Sequence, residues 1–341
     1  MGENRSALDA PAKEGFLPST LSDVAEAEAP AIPGFNTPIP AAVPKSRLPL
    51  PTLPSGSSNS DATPAMESSP SVAKQEWNTS KLGLRVGVDA LSAGAAGALV
   101  APIITMIDKG IIENASGRNT LGDSLKQSAK DLLLRPHRFI ASKPFLLIFS
   151  LYFGTYFTAN TIDTASSSLH STPASSTTAG TTKFLAVSTS NLALCLYKDN
   201  KFTQLFGSTG SKRPVPLPTF ALFTVRDCMT IFASFNLPPL LAPKMEQYMS
   251  EGVQRYMSSA SAAQFITPAA VQLLSTPLHL LGLDLYNRPG VGVGGPDGRA
   301  ARVLRDWAKS AAARMCRIVP AFGVGGVVNS KVRKGMMEDL E

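Results

Sequence analysis

Apolar and charged positions alternate along residues 81–341 in a coarse rhythm: two long uncharged stretches, with a basic segment between them, recur about every 90 residues. The six uncharged runs are 18, 19, 14, 16, 28 and 13 residues long and cover Ala90–Ile107, Pro144–Ile162, Phe184–Tyr197, Cys228–Pro243, Tyr256–Leu283 and Ile318–Ser330. Three of them approach or exceed the roughly 20 residues that cross a hydrocarbon layer of ~30 Å as a helix. The pattern predicts an all-α membrane protein with six transmembrane helices, and the alternative is a soluble protein with buried apolar helices.

Three helix-pair repeats are predicted, at about 84–175, 183–255 and 260–335. Each consists of an apolar span, a basic linker and a second span. In the first linker, Thr120 stands three residues before Asp123 and precedes apolar residues at helical spacing, which predicts a capped amphipathic helix. The Ser/Thr/Ala-rich stretch 163–183 predicts a flexible loop.

Residues 1–80 differ in composition from the rest of the chain. They are rich in Pro, Ser and Ala, carry five basic and nine acidic residues, and show no sustained helical or strand period. Such a segment buries too little apolar surface to offset the entropy of ordering. The sequence therefore predicts a disordered tail at 1–80, which could recruit a protein partner, and a membrane domain at 81–341.

The charged residues sort by side of the predicted bundle. The segments that follow odd-numbered spans, Asp108–Arg138, Lys198–Arg213 and Asp284–Arg317, hold 17 Lys and Arg against 8 Asp and Glu. The opposite segments, Asp163–Lys183 and Lys244–Arg255, hold three charges of each sign. The positive-inside rule associates this asymmetry with the side from which insertion is directed. Because no single aromatic-lined basic patch is present, membrane lipids are predicted as partners and nucleic acid is not.

The sequence offers no constellation for catalysis or metal binding. The cysteines and histidines are scattered, at Cys195, Cys228, Cys316, His137, His170 and His279. These positions give neither a metal cluster nor a redox pair nor a Ser-His-Asp arrangement. The segment Gly290–Gly295 satisfies G-x-G-x-x-G, but Pro289 and Pro296 flank it and no strand precedes it. The sequence therefore predicts a protein that is not an enzyme and that uses no cofactor and no metal.

Small residues mark the first and last predicted spans. They form the segments Ala93–Gly97 and Gly323–Gly326. Small side chains let helix backbones approach closely in lipid, where packing drives association. This distribution predicts a bundle that closes between its first and last helices.

Two segments carry charges within otherwise apolar sequence. One is Leu222–Phe235, in which Arg226 and Asp227 are adjacent, and the other is Arg314–Ala321, which contains Arg317. Charges inside a span usually face a bundle interior or a wet cavity. Over about residues 84–335 the repeat plan, the length and the basic linkers resemble the mitochondrial carrier family, and these two segments resemble that family's fourth and sixth helices.

The odd-numbered spans depart from the carrier pattern. The family signature P-x-[DE]-x-x-[KR] supplies ion pairs that close and reopen during transport. Pro102–Ile107 and Pro277–Gly282 keep the proline and lose both charges, and Ser190–Tyr197 lacks the proline as well. The resemblance therefore indicates a diverged carrier with unusual gates.

The resemblance implies helix pairs around a central water-filled cavity, with Arg226, Asp227 and Arg317 as solute-binding residues. It implies a transporter of a small anionic or zwitterionic solute, working by alternating access in a mitochondrial membrane, the inner rather than the outer one. An arginine presents a fork of donors to a carboxylate, and Asp227 could hold an ammonium group. Two alternatives remain open: Arg226 and Asp227 form a structural pair inside the bundle, or the chain is a non-transporting scaffold or adaptor.

Overall fold

In a computed structural model, residues 77–208, 214–254 and 257–341 are described. The tail predicted at 1–80 lies outside the described residues except for its last four positions. All regular structure in the described part of the chain is helical. The all-α class is therefore confirmed for these residues.

The described helices vary from one turn to more than nine. In chain order they are α1 (Leu82–Ser116), α2 (Leu121–Leu134), α3 (Pro136–Ile140), α4 (Lys143–His170), α5 (Gly180–Phe206), α6 (Leu217–Phe235), α7 (Leu237–Tyr248), α8 (Glu251–Gln254), α9 (Ser259–Asn287), α10 (Arg299–Cys316), a π-helical turn (Val319–Gly325) and α11 (Gly326–Glu338). The last three elements form one 40-residue helical segment, Arg299–Glu338. The six uncharged runs fall largely within the long helices.

Four segments are long and apolar enough to cross a membrane: α1, α4, α9 and Arg299–Glu338. A fifth is formed when α6 and α7, which meet at a bend of 47°, are taken as one span. Pro238 and Pro239 follow this bend and lack the N–H groups that a continuous helix requires. The remaining long helix, α5, has 27 residues but carries Lys198 and Asp199 in its last turns. A helical membrane domain is thus confirmed, whereas the layout of six spans in three repeats is not.

Each long helix packs against the next one along the chain, and the last packs against the first. α1 contacts α4, α4 contacts α5, α5 contacts α6, α6 contacts α9, and α9 contacts α10. The π-helical turn and α11 then contact α1. This closed order surrounds a space between the helices, where the charged side chains of the spans can be solvated or paired.

Glycines permit the close approach of the first and last helical segments. A Cβ atom on Gly97 of α1 would lie 3.3 Å from the backbone nitrogen of Phe153 in α4. A Cβ atom on Gly325 would lie 2.7 Å from Val100 Cγ2 in α1, and Tyr156 of α4 is closer still. Close packing of the last helical segment on α1 is therefore confirmed at Gly325, whereas Gly97 packs against α4.

The linker after the first span is a folded helix that begins with the predicted cap. Thr120 Oγ1 accepts a hydrogen bond from the Asp123 N–H at 3.2 Å and donates one to Asp123 Oδ2 at 2.6 Å. Such a cap satisfies backbone donors that a helix start leaves without partners. α2 also packs back onto α1.

The stretch 163–183, predicted to be a flexible loop, is helical at both ends. α4 continues to His170, and α5 begins at Gly180. Lys183 Nζ lies 2.5 Å from Asp163 Oδ2 in a buried ion pair, and Asp163 Oδ1 accepts the Ala179 N–H at 2.9 Å. The Asp163 carboxylate therefore ties the end of α4 to the start of α5, a contact that composition alone could not reveal.

The glycine-rich turn at 290–295 folds around one arginine. Arg299 Nε and Nη2 each donate to a backbone carbonyl of this loop at 2.8 Å, and Nη1 lies 2.7 Å from Asp284 Oδ2. Gly290 and Gly295 have φ angles of +81° and +92°, which residues with a Cβ atom rarely adopt. The glycines of the G-x-G-x-x-G pattern thus shape a turn.

Candidate functional site

A cavity of ≈ 1190 Å³, counting the space that opens to solvent, lies among α4, α5, α6, α9 and the segment Arg299–Glu338. Its lining combines aromatic, hydroxyl and amide side chains with charged ones. The charged residues that border it are Lys198, Arg226, Asp227, Arg314 and Arg317. All three predicted solute-binding residues therefore border the same cavity, and their role as solute ligands stays a prediction.

One end of this cavity is closed by a network of buried ion pairs, which we call the charged floor. Its members come from α1, α5, α6 and the residue after α10, and they are Asp108, Lys198, Asp199, Arg226, Asp227 and Arg317. Asp108 binds Lys198 Nζ at 2.9 Å and Arg317 Nη1 at 2.7 Å. Lys198 also lies against the neighbouring Asp199. Because an isolated charge is costly to bury, these pairs stabilise one another and hold the helices together at this end.

Arg226 is the most extensively bonded member of the charged floor. Its Nε and Nη2 atoms donate to Asp227 at 2.6–2.8 Å, and Nη2 also lies 2.5 Å from Asp199 Oδ2. Nη1 lies 2.7 Å from His279 Nδ1. Since a guanidinium only donates, His279 accepts at Nδ1 and is neutral. Most Arg226 donors are thus used within the protein, which favours the structural-pair alternative for Arg226 and Asp227.

Two further arginines border the cavity with fewer protein partners. Arg317 has its ion pair with Asp108, and its side chain is 17% exposed. Arg314 is 5% exposed, and its Nε donates to Gln272 Oε1 at 2.9 Å. Within the described ranges Arg314 forms no ion pair. Sequence reasoning missed Arg314 because it stands in a basic segment; the available signal was its three-residue spacing from Arg317, which places both on one helix face.

Some residues assigned to the basic linkers belong to the charged floor instead. Asp108 lies inside α1, and Lys198 and Asp199 lie inside α5, all of them buried. A helix continues past a charged residue when that residue pairs with another helix. A span predicted to end at its first charge is then too short. The predicted boundaries at Asp108 and Lys198 were therefore wrong.

Polar side chains of the cavity wall add hydrogen-bonding capacity. Asn191 Nδ2 donates to Thr155 Oγ1 at 3.2 Å, and Tyr156 Oη donates to the Ala321 carbonyl at 2.7 Å. Ser188 Oγ is buried and has no hydrogen-bond partner in the described part of the chain. A few oriented polar groups in a largely apolar wall are typical of a small-molecule site.

A second polar network joins α1, α4 and α11 outside the cavity lining. Asp89 binds Arg333 Nε at 2.7 Å and accepts from Thr164 Oγ1 at 2.6 Å. The amides of Asn160 and Asn329 bond each other reciprocally, both at 2.9 Å. Along α1, Asp89 and Asp108 of the charged floor are separated by about 28 Å at 1.5 Å per residue. The second network, which joins α1, α4 and α11, therefore stands apart from the charged floor.

A bundle of apolar helices around a charged cavity is an architecture of membrane transport proteins. The sequence family described as probable citrulline exporter matches residues 92–337, and the chain belongs to this family. No curated protein and no solved structure matches the chain. The chain is thus a membrane protein of a family of probable exporters.

The resemblance to the mitochondrial carrier family is wrong, because the matching family is that of the probable citrulline exporters. Arginines within apolar spans usually face the interior of a helical bundle, whatever its family. The segments 222–235 and 314–321 therefore do not identify the mitochondrial carrier family. The missing signature charges at Pro102–Ile107 and Pro277–Gly282 were the stronger signal. The mitochondrial location rested on the same resemblance and is not carried forward.

Proposed function

We propose that this chain exports citrulline, or a closely related amino acid with an uncharged side chain, across a membrane by alternating access. The observation that carries the proposal is a cavity bordered by three arginines and a carboxylate. A zwitterionic solute needs partners of both signs, and a bundle interior is where such charges are tolerated. The description of the family supports export as the direction of transport.

In this proposal the solute rests on the charged floor, against Arg226, Asp227 and Arg317. The arginines that border the cavity, Arg314 included, attract its carboxylate, and Asp227 attracts its ammonium group. The ureido group of citrulline both donates and accepts hydrogen bonds. It would face the amide and hydroxyl groups of the wall, of which Asn191 and Thr155 already pair with each other.

The two networks then serve as gates. The charged floor joins helices at one end of the cavity, and the second network joins α1, α4 and α11 apart from the charged floor. Alternating access requires that these closures open in turn around a fixed site. For the bundle to enclose the solute, α5 and the bent α6–α7 pair cross the membrane with the other four segments, which gives six crossings. The basic linkers at the floor end then face the side from which insertion proceeds.

Release of labelled citrulline from liposomes tests the proposal. Full-length protein is reconstituted, the lumen is loaded with labelled citrulline, and efflux is followed with arginine, ornithine, glutamate and carnitine as competitors. We expect saturable efflux above protein-free liposomes, and a strong reduction by Asp227→Asn. Arg305→Gln, an exposed change on α10, is the matched control and should transport normally. Efflux no faster than from protein-free liposomes would refute transport and leave the scaffold alternative.

A further inference from the structure

We propose that Arg314 binds the α-carboxylate of the transported amino acid and that Gln272 positions it. This inference rests on the proposed function, because it names the group that recognises the solute. Its starting point is a side chain that borders the cavity, is 5% exposed and has no carboxylate partner among the described residues. A buried cation without a counter-charge is unfavourable, and the described side chains leave Arg314 poorly compensated.

The geometry leaves the outer end of Arg314 available. Nε donates to Gln272 Oε1 at 2.9 Å, while Nη1 and Nη2 have no hydrogen bond in the described part of the chain. A guanidinium offers its donors as a planar fork that matches a carboxylate bidentately. Arg314 thus presents an unused fork on the cavity wall.

Gln272 is itself held in place. Its Nε2 donates to the Pro268 carbonyl at 2.9 Å, and its Oε1 accepts from Ser275 Oγ at 3.2 Å as well as from Arg314. An amide with its nitrogen engaged by the backbone cannot turn that nitrogen toward Arg314. The oxygen therefore stays directed at the guanidinium and fixes its orientation, which makes Gln272 a positioning residue.

Other buried arginines in the described ranges already have partners for their terminal nitrogens. Arg226 and Arg299 bind aspartates through terminal nitrogens, and Arg333 donates Nη1 to the Ala174 carbonyl and Nη2 to Thr164 Oγ1, both at 3.0 Å. Arg85 donates both terminal nitrogens to serine hydroxyls, at 3.3 and 2.5 Å. Arg314 differs from them, because it borders the cavity and its terminal nitrogens have no such partner in the described part of the chain. A ligand carboxylate would supply the missing acceptor.

The charge balance around the cavity disfavours solutes with a net positive charge. The cations are Lys198, Arg226, Arg314 and Arg317, and the carboxylates are Asp108, Asp199 and Asp227. With His279 neutral, this set carries an excess of one positive charge. A zwitterion with a neutral side chain adds no net charge, whereas arginine and ornithine each bring a further positive charge into a site of low dielectric. We therefore expect citrulline to be selected over arginine, which it closely matches in shape.

The test compares ligands that lack one group at a time. Thermal stabilisation of full-length protein in detergent is titrated with citrulline, with 5-ureidopentanoate, which lacks the ammonium, and with 4-ureidobutylamine, which lacks the carboxylate. We expect Arg314→Gln to weaken citrulline binding about tenfold to hundredfold, the range for a charge-assisted hydrogen bond. Binding of 4-ureidobutylamine, a cation without the carboxylate, should not weaken. Arg305→Gln, at a side chain that is 66% exposed on the same helix, should behave as wild type.

Two features keep a folding defect from imitating the result. Removal of an uncompensated buried charge should leave the unliganded melting temperature equal or higher, whereas a structural role would lower it. Arg314→Lys keeps the charge without the fork and should lose less affinity for citrulline than Arg314→Gln. If the wild-type protein transports citrulline and Arg314→Gln binds citrulline as tightly as the wild type does, this inference is overturned and the proposed function stands. Equal losses for citrulline and 4-ureidobutylamine would do the same, and wild type that responds to none of the ligands would overturn the proposed function with it.

Discussion

Replacement of Arg226 by methionine should destabilise the unliganded protein through one stranded carboxylate. Arg226 is shared by Asp227 and Asp199, but these partners are not equally dependent on it. Asp199 keeps Lys198 as a second cation, whereas Asp227 has no other ion pair in the described ranges. Loss of one partner from a buried pair costs about 3–5 kcal/mol. For a domain of this size that corresponds to a fall of about 6–20 °C in melting temperature.

Because Asp199 and Asp227 depend unequally on Arg226, three variants should differ in melting temperature in a defined order. Asp227→Asn should cost less than Arg226→Met, because Arg226 retains Asp199 while Asp227 retains no cation. The double variant Arg226→Met with Asp227→Leu removes the stranded charge and should recover more than half of the loss. The residual cost belongs to Asp199, which has lost one of its two cations.

Thermal melts in detergent, followed by tryptophan fluorescence or by loss of monodisperse protein, measure this order. Arg305→Met on α10 is the control, since that side chain is 66% exposed and its loss should shift the melt little. A double variant as unstable as Arg226→Met would contradict the argument from Asp227. If the double variant regains stability and still binds citrulline, Arg226 and Asp227 hold the charged floor together and do not contact the solute.

Three further outcomes follow from other parts of the fold. Gly325→Ala places a Cβ 2.7 Å from a side-chain atom of α1 and should cost about 1–3 kcal/mol, whereas Gly323→Ala, where the nearest atom is 3.6 Å away, should be tolerated; equal melts would contradict the packing. Lys183→Met strands Asp163 and should lower the melt, with recovery when Asp163→Asn is added; a neutral single variant would show that the pair is not buried. Deletion of residues 1–76 should leave membrane insertion, assayed by carbonate extraction, unchanged, and soluble protein would contradict this.

The helices were predictable because a long uncharged run has few ways to satisfy its backbone in lipid. The predicted ends of the helices were wrong where a charged residue pairs with a residue on another helix. Asp108 and Lys198 are 90 residues apart in the chain and bind each other at 2.9 Å. Each looks like the start of a linker when only its neighbours in sequence are considered. The same limitation made Asp163 and Lys183 look like the ends of a loop.

The candidate site was predictable only in part, for a related reason. Arg226, Asp227 and Arg317 stand beside long apolar runs, so that burial toward the cavity is the favourable place for them. Arg314 stands among other basic residues, and its three-residue spacing from Arg317 is a weak signal, because Arg302 and exposed Arg305 have the same spacing. What sets Arg314 apart is that a charge is buried while its counter-charge is missing. Sequence supplies a list of charges but no list of pairs, and a missing pair can be recognised only after the other charges have been matched in space. That mismatch directs the search for a ligand to Arg314 rather than to the better-paired Arg226.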